Sequence, residues 1–371
     1  MITDYSAIFR QAVEKKESDI HIVVGAPHIL RINGNLIRLG RDVESIDVEE
    51  YINRILTDDQ KLLLKKMGEI DISLQLGNIG RFRINIYRQR GTYAIAARSI
   101  VNSVLSLKDL GLPDSVLNLS KLNKGLVLVT GPTGSGKSTT LASLIDLINE
   151  TRDLHILTLE DPIEYIHPHK KSIITQREIG KDSTDYNLAL KSALREDPDV
   201  ILIGEMRDPE SIQIAITAAE TGHLVLSTLH TIGAAKTIDR VIDVFRAEQQ
   251  QQIRTQLASV IQAVVSQQLI KRADGQGRVV ATEVMITNPA IANLIREAKT
   301  YQIDMQIQTS KKQGMQLMDS SLFDLYTRKI ISQEMAVAHS SDSENFIKTY
   351  FKLRGTYQDS KITSTASYYD V

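Results

Sequence analysis

The sequence predicts an α/β protein: a doubly wound layer around a largely parallel sheet, preceded by a smaller α+β domain. Three observations predict it. A glycine-rich turn at residues 131–138 (GPTGSGKS) follows directly on an apolar strand run. Beyond it, short apolar runs at 155–159, 200–203 and 224–227 alternate with segments of helical period, the pattern of strands joined by crossover helices. Nearer the start, residues 81–87 (RFRINIY) alternate strictly, with Phe82, Ile84 and Ile86 on one face and Arg81, Arg83 and Asn85 on the other, as a half-buried strand does.

The elements follow in chain order. Tyr5, Ile8, Phe9, Ala12 and Val13 recur at helical spacing and predict an amphipathic first helix. Residues 20–24 form a short apolar run, and Asn33-Gly34 between apolar stretches signals a two-residue hairpin. The strand at 81–87 presents two guanidiniums on its non-core face, and a second strand at 93–99 carries Arg98. A basic solvated sheet face would show the same pattern. Residues 101–119 lack periodicity and predict a linker between a domain at 1–100 and one at 120–356. In the second domain, Asp208-Pro209-Glu210 opens a helix with an N-cap acceptor, proline at the first position and an acid in the first turn. Beyond Ala247 the pattern reads as mainly helical, with Ile253, Leu257, Val260, Ile261, Val264 and Val265 as one apolar stripe. Residues 357–371 are polar without an apolar period and predict a loose tail.

Composition bounds the class. At 371 residues the chain exceeds the ~150 of a typical domain, which points to two. Lys and Arg number 44 against 45 Asp and Glu, a net charge of −1, whereas a nucleic-acid motor usually carries a basic surplus. No apolar run reaches the ~18–20 residues of a membrane span, and the first sixteen residues lack a signal-peptide core. There is no cysteine, hence neither disulfide nor thiolate metal site.

Four segments carry chemistry. Residues 131–138 fit G-x-x-x-x-G-K-[ST] in full, between a strand at 126–130 and a helix at 138–150. Gly131, Pro132, Thr133, Gly134, Ser135 and Gly136 would wrap backbone N–H groups around phosphate oxygens, aided by the positive end of the helix that Thr139 continues. Lys137 would reach the β- and γ-phosphates, and the Ser138 hydroxyl would complete a Mg²⁺ shell. Residues 200–205 (VILIGE) resemble a Walker B strand, with Glu205 holding Mg²⁺-bound water. Gly204 stands before that acid, where many such strands carry Asp directly, and a core strand followed by a surface glutamate would look alike. Residues 160–164 (EDPIE) place Glu160 and Glu164 at a strand exit, read as beside the P-loop strand, where a base could orient water. A solvated acidic loop is the alternative. Finally, His223 and His230 bracket the run at 224–229, a pattern that is weak by itself.

Taken together, GPTGSGKST at 131–139, LEDPIEY at 159–165, ILIGEMRD at 201–208 and ETGHLVLSTLHT at 220–231 closely resemble, in order and spacing, the Walker A, Asp box, Walker B and His box of the secretion ATPase superfamily. Within it the chain resembles the type IV pilus retraction ATPases, from SDIHI at 18–22 through GRFR at 80–83 to GMQ at 314–316. Residues 290–297 (AIANLIRE) are similar to the retraction-specific motif AIRNLIRE, with Ala292 in place of its first arginine. The resemblance implies a PAS-like N-terminal domain, a RecA-like ATPase domain, ATP and Mg²⁺ as cofactors, and a homohexamer. It implies Glu164 as the water-orienting base with Glu160 second, and His223 and His230 as sensors of the γ-phosphate. Arg81, Arg83 and Arg98 would close onto the phosphates.

It further implies a cytoplasmic location at the inner face of the cell membrane. The partners would be an inner-membrane pilus platform protein and the pilus base, with no nucleic acid. Accessory retraction ATPases are the nearest alternative, although residues 195–199 read REDPD where those carry another variant. Pilus-assembly and type II secretion ATPases typically add an N-terminal domain and often a four-cysteine zinc loop, whereas this sequence opens on the small domain. A DNA-translocating motor and a non-hydrolysing regulator are further alternatives. The charge balance disfavours the first, and the acids at Glu160, Glu164 and Glu205 disfavour the second.

Overall fold

The computed structural model describes residues 6–15, 19–32, 35–100, 104–206 and 208–352. Tyr5, the Asn33-Gly34 turn, the start of the linker at 101–103 and the tail at 357–371 lie outside the described residues. The chain divides into two units, Met1–Val104 with Pro162–His167, and Leu105–Asp161 with Pro168–Val371.

In the first unit, α1 (Ser6–Glu14) is followed by β1 (Asp19–Val23), β2 (Pro27–Ile32), β3 (Asn35–Asp42), α2 (Ser45–Ile55), α3 (Asp58–Met67), β4 (Glu69–Leu76), β5 (Gly80–Gln89) and β6 (Thr92–Ile100). The strands form one antiparallel sheet in the order β3-β2-β1-β6-β5-β4. Its core gathers Phe9, Ile20, Ile22, Tyr51, Phe82, Ile84, Ile86 and Ile95, and the Phe9 and Phe82 rings meet edge-on at 4.9 Å. The alternation read at residues 81–87 is the alternation of β5. Phe82, Ile84 and Ile86 are fully buried, while Arg83 is exposed and Arg81 half-buried. The helices start and stop on local signals: Thr57 and Gln60 make a capping box at α3, and Gly68 ends it in the left-handed region at φ 87°.

The second unit runs through α4 (Asp114–Leu117), β7 (Gly125–Thr130), α5 (Lys137–Thr151), β8 (His155–Glu160), β9 (Ile173–Glu178), α6 (Tyr186–Ala193) and β10 (Val200–Ile203). Then come α7 (Pro209–Glu220), β11 (Leu224–Leu229), α8 (Ala234–Asp243), α9 (Ala247–Val260), β12 (Ile261–Lys271) and β13 (Arg278–Ile286). Short helices close it: α10 (Pro289–Arg296), α11 (Ile303–Thr309), α12 (Met318–Thr327), α13 (Gln333–Ala338) and α14 (Ser343–Phe346). The sheet order is β13-β12-β7-β11-β10-β8-β9, parallel except for β13. Apolar clusters cover both faces, one built on α6 to α9 and the other on α4 and α5, so the central strands are buried throughout.

Two expectations are corrected here. The stripe from Ile253 to Val265 is not one helix: α9 ends at Val260 and β12 begins at Ile261, pairing in parallel with β7. Ile261, Val264 and Val265 are β-branched, and a short apolar run of that kind suits a buried strand as well as a helix; pairing with β7 decides. The strand carrying Glu160 does not flank the P-loop strand, because β11 and β10 lie between β7 and β8. Within and just beyond the stretch read as a linker, residues 114–121 form α4 and a 3₁₀ turn at Asn118–Lys121.

Candidate nucleotide site

The parallel strands β7, β8, β10 and β11 all point the same way, so the loops at their C-terminal ends collect along one edge of the sheet. Hydrogen bonds lock these ends together. Leu159 O accepts from Gly204 N at 2.8 Å, Gly204 O accepts from the Thr228 hydroxyl at 2.6 Å, and Leu229 O accepts from Gly131 N at 3.3 Å. Close packing also accounts for the glycine before Glu205. A Cβ at Gly204 would lie 2.8 Å from Tyr186 Oη and 3.3 Å from Leu159 O.

The loop between β7 and α5 has the geometry of a phosphate cradle. Gly131, Gly134 and Gly136 take φ values of 142°, 77° and 90°, a region that favours glycine. A Cβ at Gly131 would sit 2.3 Å from Gln267 O and 2.6 Å from the Ser135 hydroxyl, so the backbone there approaches β12 closely. Gly136 is the N-cap of the 15-residue α5, whose first residues are Lys137, Ser138 and Thr139. Lys137 Nζ donates to Gly131 O at 2.8 Å and Pro132 O at 3.1 Å, spanning the mouth of the loop. Pro132, Thr133 and Gly134 are exposed at its tip, and Ser135 is buried beneath it. These features fit a nucleotide: main-chain donors at a helix N-terminus, one cation, and a hydroxyl one residue on. Among the described residues no group of three or more His, Asp or Glu side chains stands ready to hold a metal.

The acids and histidines divide. Glu205 follows β10 and meets His230 at the end of β11, with 3.2 Å between Glu205 Oε1 and His230 Nε2. Glu160 closes β8, where its Oε1 accepts from the Thr158 hydroxyl at 2.7 Å and from Gln176 Nε2 at 3.3 Å. His223 is not brought to this edge. It precedes β11, whose six residues span about 20 Å at ~3.3 Å each, and its Nδ1 lies 2.9 Å from Ala218 O. Parallel pairing places Leu224 opposite Gly125, at the start of the P-loop strand, and Leu229 opposite Thr130 at its end.

Glu164 belongs to the segment Pro162–His167, which folds with the first unit. There Pro162, Glu164 and Tyr165 line a cavity of about 270 Å³ with Arg83, Arg98, Ser99 and Ile100. Arg83 and Arg98 are direct cross-strand neighbours, and each grips an acid on its own sheet. Arg83 Nη2 donates to Asp71 at 2.6 Å, and Arg98 donates to Asp19 at 2.6 and 3.2 Å. The Asp19 hydrogen bond raises the Arg98 guanidinium above its ordinary range, with a smaller push from Glu164, and Arg98 in turn lowers the Asp19 carboxyl. Arg81 Nη2 donates to the Ser73 hydroxyl at 2.8 Å.

Several supporting residues were missed. Gln267 on β12, almost fully buried, donates to the Thr140 hydroxyl on α5 at 2.9 Å. Asn149, fully buried on α5, donates to Pro168 O and accepts from Lys170 N, tying residues 168–170 to the P-loop helix within the second unit. Ser266 and Glu283 are buried polar residues inside apolar strands. The signal for Gln267, Ser266 and Glu283 was a polar residue at a core register of an apolar run. It was lost because their region read as helical.

Comparison with known proteins adds the following. The family model described as "Type II/IV secretion system protein" matches residues 1–344. A "Type IV pilus retractation ATPase PilT" of Pseudomonas aeruginosa is 45% identical over 344 residues, covering 92% of this chain and 100% of that protein. A "Twitching motility protein" of Neisseria gonorrhoeae is 47% identical over 318 residues, 85% of each chain. A solved structure described as "Crystal Structure of the Pilus Retraction Motor PilT and Bound ADP" superposes with a TM-score of 0.87 at 44% identity, covering 92% of this chain and 98% of that one.

Proposed function

The chain belongs to the type II/IV secretion system protein family and is a nucleotide-binding ATPase of it, and from that premise we propose that it powers retraction of type IV pili. The observation that carries this reading is the 45% identity to a retraction ATPase across the whole of that protein's length, together with the cradle at residues 131–138. In this reading a homohexamer couples Mg-ATP hydrolysis to pilin disassembly and twitching motility. It works from the cytoplasm against an inner-membrane platform protein and the pilus base. Among the described residues no helix is long and apolar enough to cross a membrane, which suits a peripheral role. The small first unit takes the PAS-like part and the second the RecA-like part.

Each site residue has a task. Residues 131–139 cradle the phosphates, and Lys137 turns its ammonium from the loop carbonyls to the β- and γ-phosphates. Ser138 and Glu205 serve Mg²⁺, the latter partly through water. Bound Mg²⁺ neutralises charge that develops on the phosphoryl oxygens. Glu164 orients the attacking water, with Glu160 as second candidate, and His230 senses the γ-phosphate beside Glu205. His223 sits at the wrong end of β11 to do so for the nucleotide of its own chain. The arginines are charge donors held in reserve. Exposed Arg–carboxylate pairs are worth only ~0–1 kcal/mol, so exchanging Asp71 or Asp19 for a phosphate costs Arg83 or Arg98 little.

The test is a deletion strain complemented with wild-type protein or Lys137→Ala. Loss of twitching with retained or excess surface pili, restored only by wild type, is the expected outcome. Loss of the pili themselves would instead mean assembly and refute the reading.

A further inference from the structure

His230 leads into residues 231–233 and then α8, and the way this segment is held is unusual. Gly233, the N-cap of α8, has φ 93° and no side chain with which to cap the helix. The first N–H groups of a helix need acceptors, and here two buried side chains of the sheet supply them. Gly233 N donates to the Ser266 hydroxyl at 2.9 Å, and Ala234 N donates to Glu283 Oε1 at 2.7 Å. Ser266 on β12 and Glu283 on β13 are direct cross-strand partners, fully buried and 6% exposed respectively. They therefore form one buried polar pair between β12 and β13, next to the buried pair Gln267 and Thr282. The second Glu283 oxygen accepts from Met318 N, the first residue of α12, at 3.4 Å. Just before it, Gln316 pairs with Val284 through two backbone hydrogen bonds. Within the loop, the Thr231 and Thr237 hydroxyls meet at 2.7 Å, and Thr237 donates to Gly233 O at 2.7 Å.

We propose that Ser266 and Glu283 are positioning residues for ATP hydrolysis, fixing the loop after β11 so that His230 stays against Glu205. The inference rests on the assignment of His230 and Glu205 to the ATPase site. A buried carboxylate is a costly way to cap a helix, and stability alone is served as well by an apolar pair and a Ser or Asp at the N-cap. What the pair provides is a fixed distance between the loop and β12, the strand that flanks β7 and runs close to Gly131 at Gln267 O. The same carboxylate ties the loop to α12, so a shift of the C-terminal helices reaches His230 through it.

The experiment measures kcat and KM for ATP, and affinity for a fluorescent ADP analogue, in Ser266→Ala, Glu283→Ala, Glu283→Gln and His230→Ala. Folding and assembly state are checked by circular dichroism and gel filtration. Ser266→Ala is expected to lower kcat ~5-fold and Glu283→Ala ~10-fold or more, with nucleotide affinity within ~2-fold of wild type. Glu283→Gln keeps an acceptor for Ala234 N and is expected to restore kcat to within ~2-fold of wild type. A merely structural role would move KM, affinity and kcat together. Should Glu283→Ala fail to fold, Ser266→Ala decides by itself. Wild-type kcat in folded Ser266→Ala and Glu283→Ala, with turnover lost in His230→Ala, overturns the anchor and leaves the site assignment standing. Equal damage in Glu283→Gln and Glu283→Ala also overturns it. Full turnover in His230→Ala overturns the anchor and the site assignment together.

Discussion

Replacing Glu283 with glutamine should make the protein more stable at alkaline pH than at acid pH, relative to wild type. Burial pushes the Glu283 carboxyl up from 4.5 to about 6, and Asp304 and Asp319 add to the push. The N–H groups of Ala234 and Met318 pull the other way. Lys236 lies close enough to Asp304 to offset part of that residue's own upward shift. Because the folded pKa is the higher one, folding favours the protonated acid. Its contribution is fully present below about pH 4.5 and is lost as pH rises through about 6. Raising the carboxyl from 4.5 to about 6 makes the whole effect ~2 kcal/mol. Between pH 5 and pH 8 the linkage relation leaves ~1.2 kcal/mol of it. Glutamine does not titrate, so the variant lacks this loss. Its amide faces Met318 N less well than a carboxylate oxygen does, but that cost is the same at every pH. The difference in melting temperature, Glu283→Gln minus wild type, should therefore rise by ~1.5–2 °C from pH 5 to pH 8. Scanning calorimetry on the full chain reads it directly. A difference that stays flat or falls with pH would refute the claim that the Glu283 charge is buried at a cost.

Gly131→Ala should lower nucleotide affinity ~10- to 100-fold, because its Cβ would collide with Gln267 O at 2.3 Å on a backbone of φ 142°. Gly134→Ala has open space around it and φ 77°, so equilibrium titration with the fluorescent nucleotide should show a smaller loss; equal losses would deny the close approach to β12. Glu205→Ala and Glu164→Ala should each cut turnover far more than affinity, as single-turnover assays will show, since neither belongs to the cradle. A near wild-type rate in either removes that residue from the chemistry. Among Arg81→Ala, Arg83→Ala and Arg98→Ala, at least one should still assemble and bind ATP yet hydrolyse it ~10³-fold more slowly, the scale of an arginine that stabilises transferred phosphate. If all three match wild type in a phosphate-release assay, these arginines only hold Ser73, Asp71 and Asp19.

What the sequence determined by itself was local. The cradle at 131–138 was legible because its signals lie within a few residues: four consecutive apolar residues at 126–129, glycines where the backbone turns left-handed, and a helix directly after. The two faces of β5 and the start of α7 at Asp208-Pro209 were legible for the same reason, since strand alternation and helix capping are nearest-neighbour physics. The tertiary structure decided whatever depends on pairing at a distance. It put β11 and β10 between β7 and β8, made Ile261–Lys271 a strand by offering β7 as its partner, and set His230 beside Glu205 while leaving His223 at the far end. It also gave Arg83 and Arg98 their acids and turned Ser266 and Glu283 toward consecutive backbone N–H groups. Such contacts join residues tens of positions apart through strand order and register. Hydrophobic periodicity along the chain carries the face a residue occupies, but not the partner that waits on it.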